Sequence, residues 1–384
     1  MKVQIEKGAL VQVLQKVQSI TEKKSNMPIL SNTLMKTTDQ QMIQFFATDL
    51  ELSAWTQIAA SIAVPGTITV TARKLLEIIR ELPQEYISLE EVSGNKLSIH
   101  AGRSRFELST IPAEDFPHMA FHQDADLATC DPVVLKTSLN RTLYGIPAEE
   151  DPFSISGLFL HPVESFEPEE ANGASEASER PDVRFVSSDG HRLSYYQVPA
   201  SSFPDLKLGH GIVIPRKGVQ EILKALEKET EVLLGIQENC LILKTSNTLL
   251  SIQLLETEFP EYQLIIPEER PFAFQADTES LYLALKRVAV LTNQKWRHVR
   301  FTITRGVLEL EAGDPEVGNA NDSVDIDYEG EDFTVAFNIR YVMDTVQAID
   351  SPQVRFEWLD AYHGGIFLGS NDPGYFSLIM PMVV

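Results

Sequence analysis

The sequence predicts an α+β protein of three similar domains, each with two helices packed on antiparallel sheets. Two observations lead to this fold class. First, a pattern of about 128 residues occurs three times along the 384-residue chain, and repetition of this kind indicates one structural unit per copy. Second, in every copy two segments of helical apolar periodicity are separated by short runs in which apolar and polar residues alternate, as they do in half-buried strands.

Composition and charge indicate a folded protein and do not by themselves suggest a nucleic-acid ligand. Hydrophobic residues make up 43% of the chain, charged residues 23%, and the net charge is −23, which on average repels nucleic acid and anionic membranes. The two cysteines, Cys130 and Cys240, are too few for a disulfide framework or a four-thiolate zinc site. Because no signal peptide or membrane span is recognisable, we expect a cytoplasmic protein.

The first element of each copy is an amphipathic helix. Its apolar residues recur at intervals of three and four: Leu10, Val13, Leu14 and Val17; Leu135, Leu139 and Leu143; Leu281, Ala284, Leu285 and Val288. Six residues after the first leucine of each set stands a base, Lys16, Arg141 or Arg287. That spacing places the base well away from the apolar stripe, so we expect it on the polar flank of the helix.

The second element is an acidic turn that follows a strand. It reads ATDLEL at 47–52, SSDGHRL at 187–193 and AGDPEV at 312–317, which aligns Asp49, Asp189 and Asp314. His191 and Asp189 have the residue types of a general base and its orienting carboxylate. No nucleophile or oxyanion device accompanies them in the sequence, so a structural loop is the favoured interpretation, with a binding site next and catalysis last.

The third element is a second helix that begins with basic residues. Arg73, Arg216 and Arg340 align, and Lys74 and Lys217 follow the first two. Cations in the first turn oppose the helix macrodipole by roughly 0.3 to 1 kcal/mol each. A solvated or ion-paired surface base is the ordinary explanation for one such residue, but recurrence at one repeat position favours a shared task for these bases.

The last element is a strand that ends in proline, in FELSTIPAEDFP at 106–117, LLSIQLLETEFP at 249–260 and YFSLIMPMVV at the end of the chain. Alternating runs elsewhere predict strands around Val3 and Ile5, in 29–37, in 41–46 and in 96–100. We place the domains at 1–126, 127–268 and 269–384. The middle copy also carries an insertion at 163–182, rich in Glu, Ser, Ala and Pro, which predicts a solvated loop.

Enzyme and metal motifs are absent from the sequence. It contains no phosphate-binding glycine loop, no H-E-x-x-H, no G-x-S-x-G and no paired C-x-x-C. His118 and His122 lack a third ligand, and the acidic run from Asp322 to Asp332 lacks the glutamate that closes a calcium loop. We therefore expect no cofactor and no metal, and a solvated loop or charged interface at the acidic run.

The motifs together resemble one known family. PILSN at 28–32, TDLE at 48–51, DGHRL at 189–193, PRKGV at 215–219, FP-Y at 259–262 and MPM at 380–382 are similar to segments of bacterial sliding clamps, the beta subunits of DNA polymerase III. The resemblance runs nearly end to end. It implies a DNA clamp fold in which a head-to-tail homodimer closes a six-domain ring around duplex DNA, so that an acidic exterior coexists with basic helices facing phosphates. It also implies a non-catalytic processivity factor associated with the nucleoid.

The resemblance assigns roles by position. The implied DNA contacts are Lys24, Arg73, Lys74, Arg80, Arg141, Arg216, Lys217 and Arg287. The implied dimer contacts are Arg103, Arg105, Phe106 and Leu108 on a domain 1 edge strand, and Val290, Leu291, Glu316 and Asp322 in domain 3. Glu149, Glu150 and Asp151 depart from the family pattern, because the corresponding loop of familiar relatives is less acidic and approaches DNA.

Partner proteins are implied to dock short linear motifs in an apolar cleft. These partners are the clamp loader, the replicative polymerase alpha subunit, and other polymerases and repair proteins with clamp-binding motifs. The matching positions are Ile155, Ser188, Gly190, His191, Arg192, Leu193, Pro260, Leu264, Ile265, Asn338, Tyr341, Leu378, Met380, Pro381 and Met382. Leu264 stands where familiar relatives have a base, and Val383 and Val384 replace their basic and leucine terminus, so motif preference is expected to differ.

Two other function classes remain open on the sequence. A ring-forming scaffold that does not encircle DNA predicts dimers and peptide binding that are indifferent to Arg73, Arg141 and Arg216. A small-molecule enzyme predicts turnover that is lost in His191→Ala.

Overall fold

The computed structural model describes residues 1–21, 26–119, 125–148, 155–164, 181–227, 229–293 and 297–383. Several predicted features lie outside these residues: Lys24, His122, Glu149, Glu150, Asp151 and most of the 163–182 insertion. The described residues contain two α-helices per repeat, which are α1 (Lys7–Ile20), α2 (Ala72–Glu81), α3 (Pro132–Thr142), α4 (Arg216–Ala225), α5 (Thr278–Val288) and α6 (Ile339–Ala348).

The strands follow the same threefold division. Repeat 1 contains β1 (Lys2–Glu6), β2 (Asn32–Thr37), β3 (Met42–Thr48), β4 (Leu52–Ala59), β5 (Ser61–Val64), β6 (Thr67–Thr71), β7 (Tyr86–Val92), β8 (Lys96–Ala101) and β9 (Ser104–Ser109). Repeat 2 contains β10 (Ala128–Cys130), β11 (Gly157–Val163), β12 (Asp182–Ser188), β13 (Arg192–Val198), β14 (Ile212–Pro215), β15 (Val232–Gln237), β16 (Cys240–Lys244) and β17 (Thr248–Gln253). Repeat 3 contains β18 (Phe272–Asp277), β19 (His298–Thr304), β20 (Val307–Asp314), β21 (Gly318–Asp327), β22 (Phe333–Asn338), β23 (Gln353–Trp358), β24 (Gly365–Gly369) and β25 (Asp372–Ile379).

The strands form three sheets, and the pairings in the described part of the chain are antiparallel. The sheet orders are β5-β1-β7-β8-β9, β10-β15-β16-β17-β4-β3-β2-β6 and β14-β11-β12-β13-β25-β24-β23-β18-β21-β20-β19-β22. Two of these sheets cross a repeat boundary, through the β17–β4 and β13–β25 pairings. The α+β fold class predicted from the sequence is therefore confirmed.

Chain contacts divide the protein into two compact units. One contains residues 1–132, 203–207 and 217–254, and the other contains 133–202, 208–216 and 255–384. These units do not coincide with the three repeats, because the shared sheets join β15–β17 to repeat 1 and β11–β14 to repeat 3. Within the described residues, no helix is long and apolar enough to cross a membrane.

The helices form where apolar residues recur at helical spacing. In α2, Leu75, Leu76 and Ile79 are buried while the remaining face is mostly exposed. The helix ends before Leu82 and Pro83 because proline disfavours helical geometry in the residue that precedes it. Lys7 adds a cap by donating to the carbonyls of Arg80 and Leu82. Burying each such aliphatic side chain contributes roughly 1.5 to 3 kcal/mol.

Four local expectations differ from the structure. The run 29–37 begins with a 3₁₀ turn at Pro28–Ser31 before β2, and Leu143 lies in a 3₁₀ turn after α3. The strands β9 and β17 end several residues before their FP pairs. The acidic run is largely strand β21, not a loop, because Val324 and Ile326 are buried and the alternation turns Asp325 and Asp327 outward.

Candidate functional site

A groove of about 510 Å³ lies within the second compact unit. Its lining residues are Ile155, Ser188, Gly190, Arg192, Phe259, Pro260, Glu261, Tyr262, Leu264, Ile265, Tyr362, His363, Gly364, Leu378 and Met380. Four large apolar side chains on it are notably exposed: Leu264 (79%), Ile265 (51%), Tyr362 (83%) and Met380 (38%). A concave site with exposed apolar and aromatic groups suits the apolar side chains of a bound ligand.

Strand register assembles the groove from distant parts of the sequence. Leu193 of β13 lies opposite Leu378 of β25, and Ile379 lies opposite Gly365 of β24. This pairing brings the acidic turn of repeat 2 beside the last strand of repeat 3 and the loop that precedes β24. A 3₁₀ turn at Tyr262–Ile265 supplies another wall.

The Asp189 turn shapes one wall of the groove through backbone hydrogen bonds. Oδ1 of Asp189 accepts from the backbone N–H groups of His191 (3.1 Å) and Arg192 (3.0 Å), and Gly190 has a φ of 80°. Oδ2 accepts from Nε of Arg192 at 3.0 Å. Since both oxygens of the carboxylate are engaged in this way, Asp189 does not orient the His191 ring, and the pair gives no support to catalysis.

The equivalent aspartates of the other repeats have the same structural task. Asp49 accepts from the backbone N–H groups of Glu51 (3.1 Å) and Leu52 (2.7 Å), and Asp314 accepts from that of Glu316 (2.8 Å). The recurrent aspartate is therefore a turn-forming residue. This agrees with the structural loop favoured by the sequence.

Arg192 is a fixed part of the groove wall. Its guanidinium donates to Asp344 (2.7 Å), to the backbone oxygen of Tyr144 (2.5 Å) and to Asp189, and it lies 4.2 Å from the centre of the Tyr341 ring. Burial opposes its charge, but the hydrogen bond to Asp344 and the charge of Asp189 outweigh that effect and raise the pKa of Arg192. The side chain stays cationic and its position is determined by four neighbours.

Other predicted cleft residues do not line this groove. Leu193 is fully buried in the core beneath it, and Asn338 caps α6 by accepting from the backbone N–H of Arg340. His191 stacks on Tyr341 with 6.5 Å between ring centres. Pro381 and Met382 follow the groove residue Met380 in the C-terminal segment, which is tied down by bonds from Met380 N–H to the His191 oxygen and from Met382 N–H to the Ala336 oxygen, both 2.8 Å.

Sequence reasoning missed six lining residues. Phe259 and Tyr262 belong to the FP-Y motif, which therefore carried a usable signal, and Glu261 stands between them. No sequence signal pointed to Tyr362, His363 and Gly364, because their loop reaches the groove through the β24–β25 pairing.

The basic residues of α2 are accessible to solvent. Arg73 and Lys74 both contact Glu77, at 3.0 and 2.7 Å, and these contacts, Lys74 first, lower the pKa of the Glu77 carboxyl. Arg80 is exposed on the same helix. Arg73 and Lys74 share a single carboxylate and remain accessible to solvent, so both can still contact an anion.

Arg141 corrects the expectation of a base on a polar flank. Its side chain is buried, and Nη1 donates to both oxygens of Asp372 at 2.8 Å while Nη2 lies 3.2 Å from Asp350. Its guanidinium also lies 4.6 Å from the centre of the Tyr196 ring. The charge is satisfied inside the protein, so this residue does not present a free cation to a phosphate.

Arg216 and Lys217 are half-buried and also have internal partners. Arg216 donates to the backbone oxygens of Leu143 (3.2 Å) and Ile146, and burial lowers its pKa. Lys217 donates to Asp49 and to the backbone oxygen of Ile20 at 3.0 Å. These contacts give both bases a structural task at the start of α4.

The remaining first-helix bases contact strands. Lys16 donates to the hydroxyl of Thr248 at 3.1 Å, and exposed Arg287 donates to Asp322 at 2.5 Å, a contact that lowers the pKa of Asp322. Arg287 was predicted to contact DNA and Asp322 to contact a second copy of the chain. In the structure the two residues are partners.

Two strand edges carry the predicted dimer residues. Strand β9 pairs with β8 on one side, and Arg103, Arg105 and Phe106 on or beside it are exposed while Leu108 is half-buried. Strand β21 pairs along its length with β20 but with β18 only at Ile326 and Asp327. Val290 (78% exposed) and Glu316 are also open to solvent, and Leu291 is half-buried.

Comparison with known proteins covers the whole chain. Family models of the DNA polymerase III beta subunit match as its N-terminal domain at residues 1–120, its central domain at 171–261 and its C-terminal domain at 263–383. The beta sliding clamp of Caulobacter vibrioides is 32% identical over 388 residues, which span all of both chains.

Solved structures give the same result. A beta sliding clamp from C. crescentus has a TM-score of 0.88 at 31% identity and covers 100% of this chain and 99% of its own. A sliding clamp from Bartonella birtlesii bound to griselimycin has a TM-score of 0.89 at 28% identity, with full coverage of both chains. The chain therefore belongs to the DNA polymerase III beta subunit family, the bacterial beta sliding clamps, which are non-catalytic processivity factors of DNA replication.

Proposed function

We propose that this clamp recruits its replication partners through the groove beside Met380 and Leu264. The proposal rests on the exposed apolar side chains of a concave wall. Arg192 and the Asp189 turn hold the rest of that wall in place. The occupants are short apolar motifs of the clamp loader, the replicative polymerase alpha subunit, and other polymerases and repair proteins. The Bartonella birtlesii clamp is bound to griselimycin, and we propose that the same compound binds here.

Removing groove side chains tests this proposal. Leu264→Ser is expected to weaken binding of a labelled peptide from the C-terminal end of the polymerase alpha subunit roughly tenfold, since it removes a Leu side chain that the peptide would bury. Deletion of residues 380–384 is expected to abolish binding and leave dimerisation unchanged. Fluorescence anisotropy measures affinity, with competition by unlabelled griselimycin.

The matched control is Val64→Ser, another exposed apolar residue on β5, outside the groove. Peptide affinity unchanged by the deletion of 380–384 would contradict the groove assignment.

The solvent-accessible bases are the better candidates for DNA contact. We propose Arg73, Lys74 and Arg80 as contacts that are ready in this conformation, and Arg216, Lys217 and Arg287 as contacts that must first loosen an internal partner. Lys24 retains its proposed role by resemblance. Such contacts are sequence-independent, because phosphates carry no base information.

The repeat pattern supports a specific mode of self-association. Within the chain, the strand after each acidic turn pairs with the last strand of the next repeat: β4 with β17 and β13 with β25. In the described residues, β21 follows the third acidic turn and, on the side away from β20, pairs with β18 only at Ile326 and Asp327, while β9 pairs only with β8. We propose that β9 of one copy pairs with β21 of a second copy, head to tail.

The register of this pairing can be derived from the internal one. Thr248 of β17 lies opposite Thr56 of β4, and Thr56 lies opposite Phe45, four residues before Asp49. In repeat 3, the residue four positions before Asp314 is Leu310, and Leu310 lies opposite Asp322. Asp322 is therefore the repeat 3 equivalent of Thr56.

Strand β9 supplies the equivalent of Thr248. Arg105 precedes the proline of its FP pair by the same twelve residues as Thr248 does. The proposed register therefore puts Arg105 opposite Asp322 of the second copy, and this opposite-charge pair favours head-to-tail over head-to-head association.

Two organisational proposals accompany the function. We propose that repeat boundaries near residues 126 and 268 divide each copy of the chain into three domains. The three family models support this proposal, because they match separate parts of the chain. A replication clamp works in the bacterial cytoplasm, and we propose association with the nucleoid through the encircled DNA.

A further inference from the structure

The hydroxyl of Tyr262 lies between two polar groups beneath the groove. Tyr262 lines the groove with its ring but is only 3% exposed. Its hydroxyl oxygen is 2.9 Å from Nε2 of His161 and 2.9 Å from Nη1 of Arg184. Neither His161 nor Arg184 lines the groove, so the contact connects a groove residue to two residues behind the wall.

The direction of each hydrogen bond follows from the partners. Nδ1 of His161 lies 3.1 Å from the backbone oxygen of Pro162, and since a carbonyl only accepts, Nδ1 carries the proton. Burial first, and then the charge of Arg184, lower the pKa of His161 to about 4, so the ring is neutral at neutral pH and Nε2 is an acceptor. Arg184 thus donates to the Tyr262 hydroxyl, which donates to His161.

Packing fixes the members of this chain of hydrogen bonds. His161 stacks on Phe159 with 4.6 Å between ring centres, and Phe159 stacks on Phe259 of the groove wall at 4.9 Å. The Arg184 guanidinium lies 4.3 Å from the centre of the Tyr195 ring, and its other donors bond to Gln197 at 2.6 and 3.2 Å. The three hydrogen-bonding groups are therefore held from several sides.

Tyr262 also begins the turn that presents the exposed apolar wall. Its backbone N–H donates to Pro260 at 2.7 Å, and it is the first residue of the 3₁₀ turn that contains Leu264 and Ile265. Those two leave most of their surface in solvent. The anchored member of the turn is the tyrosine.

We propose that His161, Arg184 and the Tyr262 hydroxyl are positioning residues that hold the Pro260–Ile265 wall in its ligand-binding geometry. This inference rests on the proposed function of the groove. The ligand touches the wall, and the three polar groups act through Tyr262 without touching it. Removing the hydroxyl leaves an acceptor on buried His161 and a donor on half-buried Arg184 without their partner, which favours a shifted tyrosine and a displaced turn.

The test compares variants that differ in hydrogen bonding more than in volume. Tyr262→Phe and His161→Leu are each expected to weaken griselimycin and alpha-subunit peptide binding roughly five- to tenfold. His161→Gln, whose amide oxygen can accept from the hydroxyl, is expected to recover most of the affinity. The double variant His161→Leu/Tyr262→Phe is expected to bind no more weakly than either single variant, because both remove the same bond.

Each outcome bears on the inference. The inference is overturned if affinity is unchanged in Tyr262→Phe, or if His161→Gln binds as weakly as His161→Leu. Thermal melting and the dimer mass of every variant show whether a loss of affinity is due to unfolding. Arg184→Gln replaces any variant that fails to fold. If the wild-type clamp binds neither probe, the proposed function fails and this inference falls with it. If the wild type binds and the variants do not differ, only the positioning role fails.

Discussion

At the scale of single residues, the basic side chains of the helices differ in what they already contact. Arg73, Lys74 and Arg80 are open to solvent. Arg141 is buried against two aspartates, and Arg216 donates to backbone oxygens. Recurrence at one repeat position therefore does not mean a single role, because a base can serve either an external anion or an internal partner.

Arg141 is expected to be a determinant of stability. Arg141→Met leaves the Asp372 carboxylate buried without its cation, and we expect the free energy of unfolding to fall by roughly 3 to 5 kcal/mol. The double variant Arg141→Met/Asp372→Leu should recover most of the loss, since neither charge then remains buried. Chemical denaturation measures both, with Arg340→Met on the exposed face of α6 as the control. A double variant as unstable as the single one would contradict this account.

At the scale of elements, the repeat acts through strand pairing. The acidic turns of repeats 1 and 2 each begin a strand that pairs with the last strand of the following repeat. Among the described strands, β9 has one unpaired edge, and β21 pairs with β18 only at Ile326 and Asp327. An open edge can pair with another chain unless charges, proline, a bulge or a covering element prevents it. The proposed dimer uses both edges, and in the derived register Arg105 of β9 and Asp322 of β21 carry opposite charges.

Charge reversal tests the derived register. Arg105→Glu places two carboxylates opposite each other and is expected to raise the dimer dissociation constant roughly tenfold or more. Combining it with Asp322→Arg and Arg287→Glu should restore much of the affinity, because the proposed pair and the Arg287–Asp322 contact within the chain are then both reversed. Sedimentation equilibrium gives the constants, and Arg305→Glu in the turn after β19 is the control. Failure of the combined variant to improve on the single ones would exclude this register.

At the scale of the whole molecule, a net charge of −23 must be compatible with DNA binding. A protein with this charge is repelled by phosphates on average, so weak local contacts alone do not explain retention. Topological linkage removes the difficulty, because a closed ring needs no affinity to stay on a circle. We propose that the exposed bases Arg73, Lys74 and Arg80 then guide sliding and do not hold the protein on DNA.

Retention on circular DNA is the matching experiment. Protein assembled by a clamp loader on a nicked plasmid is expected to stay bound at salt high enough to screen ordinary charge contacts, and to dissociate when a restriction enzyme cuts the circle. Gel filtration before and after cutting measures this, with a mock digestion as the control. Protein that remains on the linear DNA would be held by local affinity, and encirclement would be wrong.

The sequence by itself determined the fold class, the three copies and the family. These follow from local information: helical spacing of leucines, turn-forming aspartates and motif order all act over a few residues. It also identified much of the groove, including Leu264, Ile265 and Met380, through motif resemblance.

Only the tertiary structure decided which residues meet. Arg141 has the spacing of a polar-flank residue, and nothing near it in the sequence reveals that Asp372 will reach it. The Tyr362 loop and the His161–Tyr262–Arg184 contacts likewise depend on strand register and on the packing of elements far apart along the chain. Periodicity reports the face on which a side chain lies, whereas burial and partner choice depend on what the folded chain places against that face.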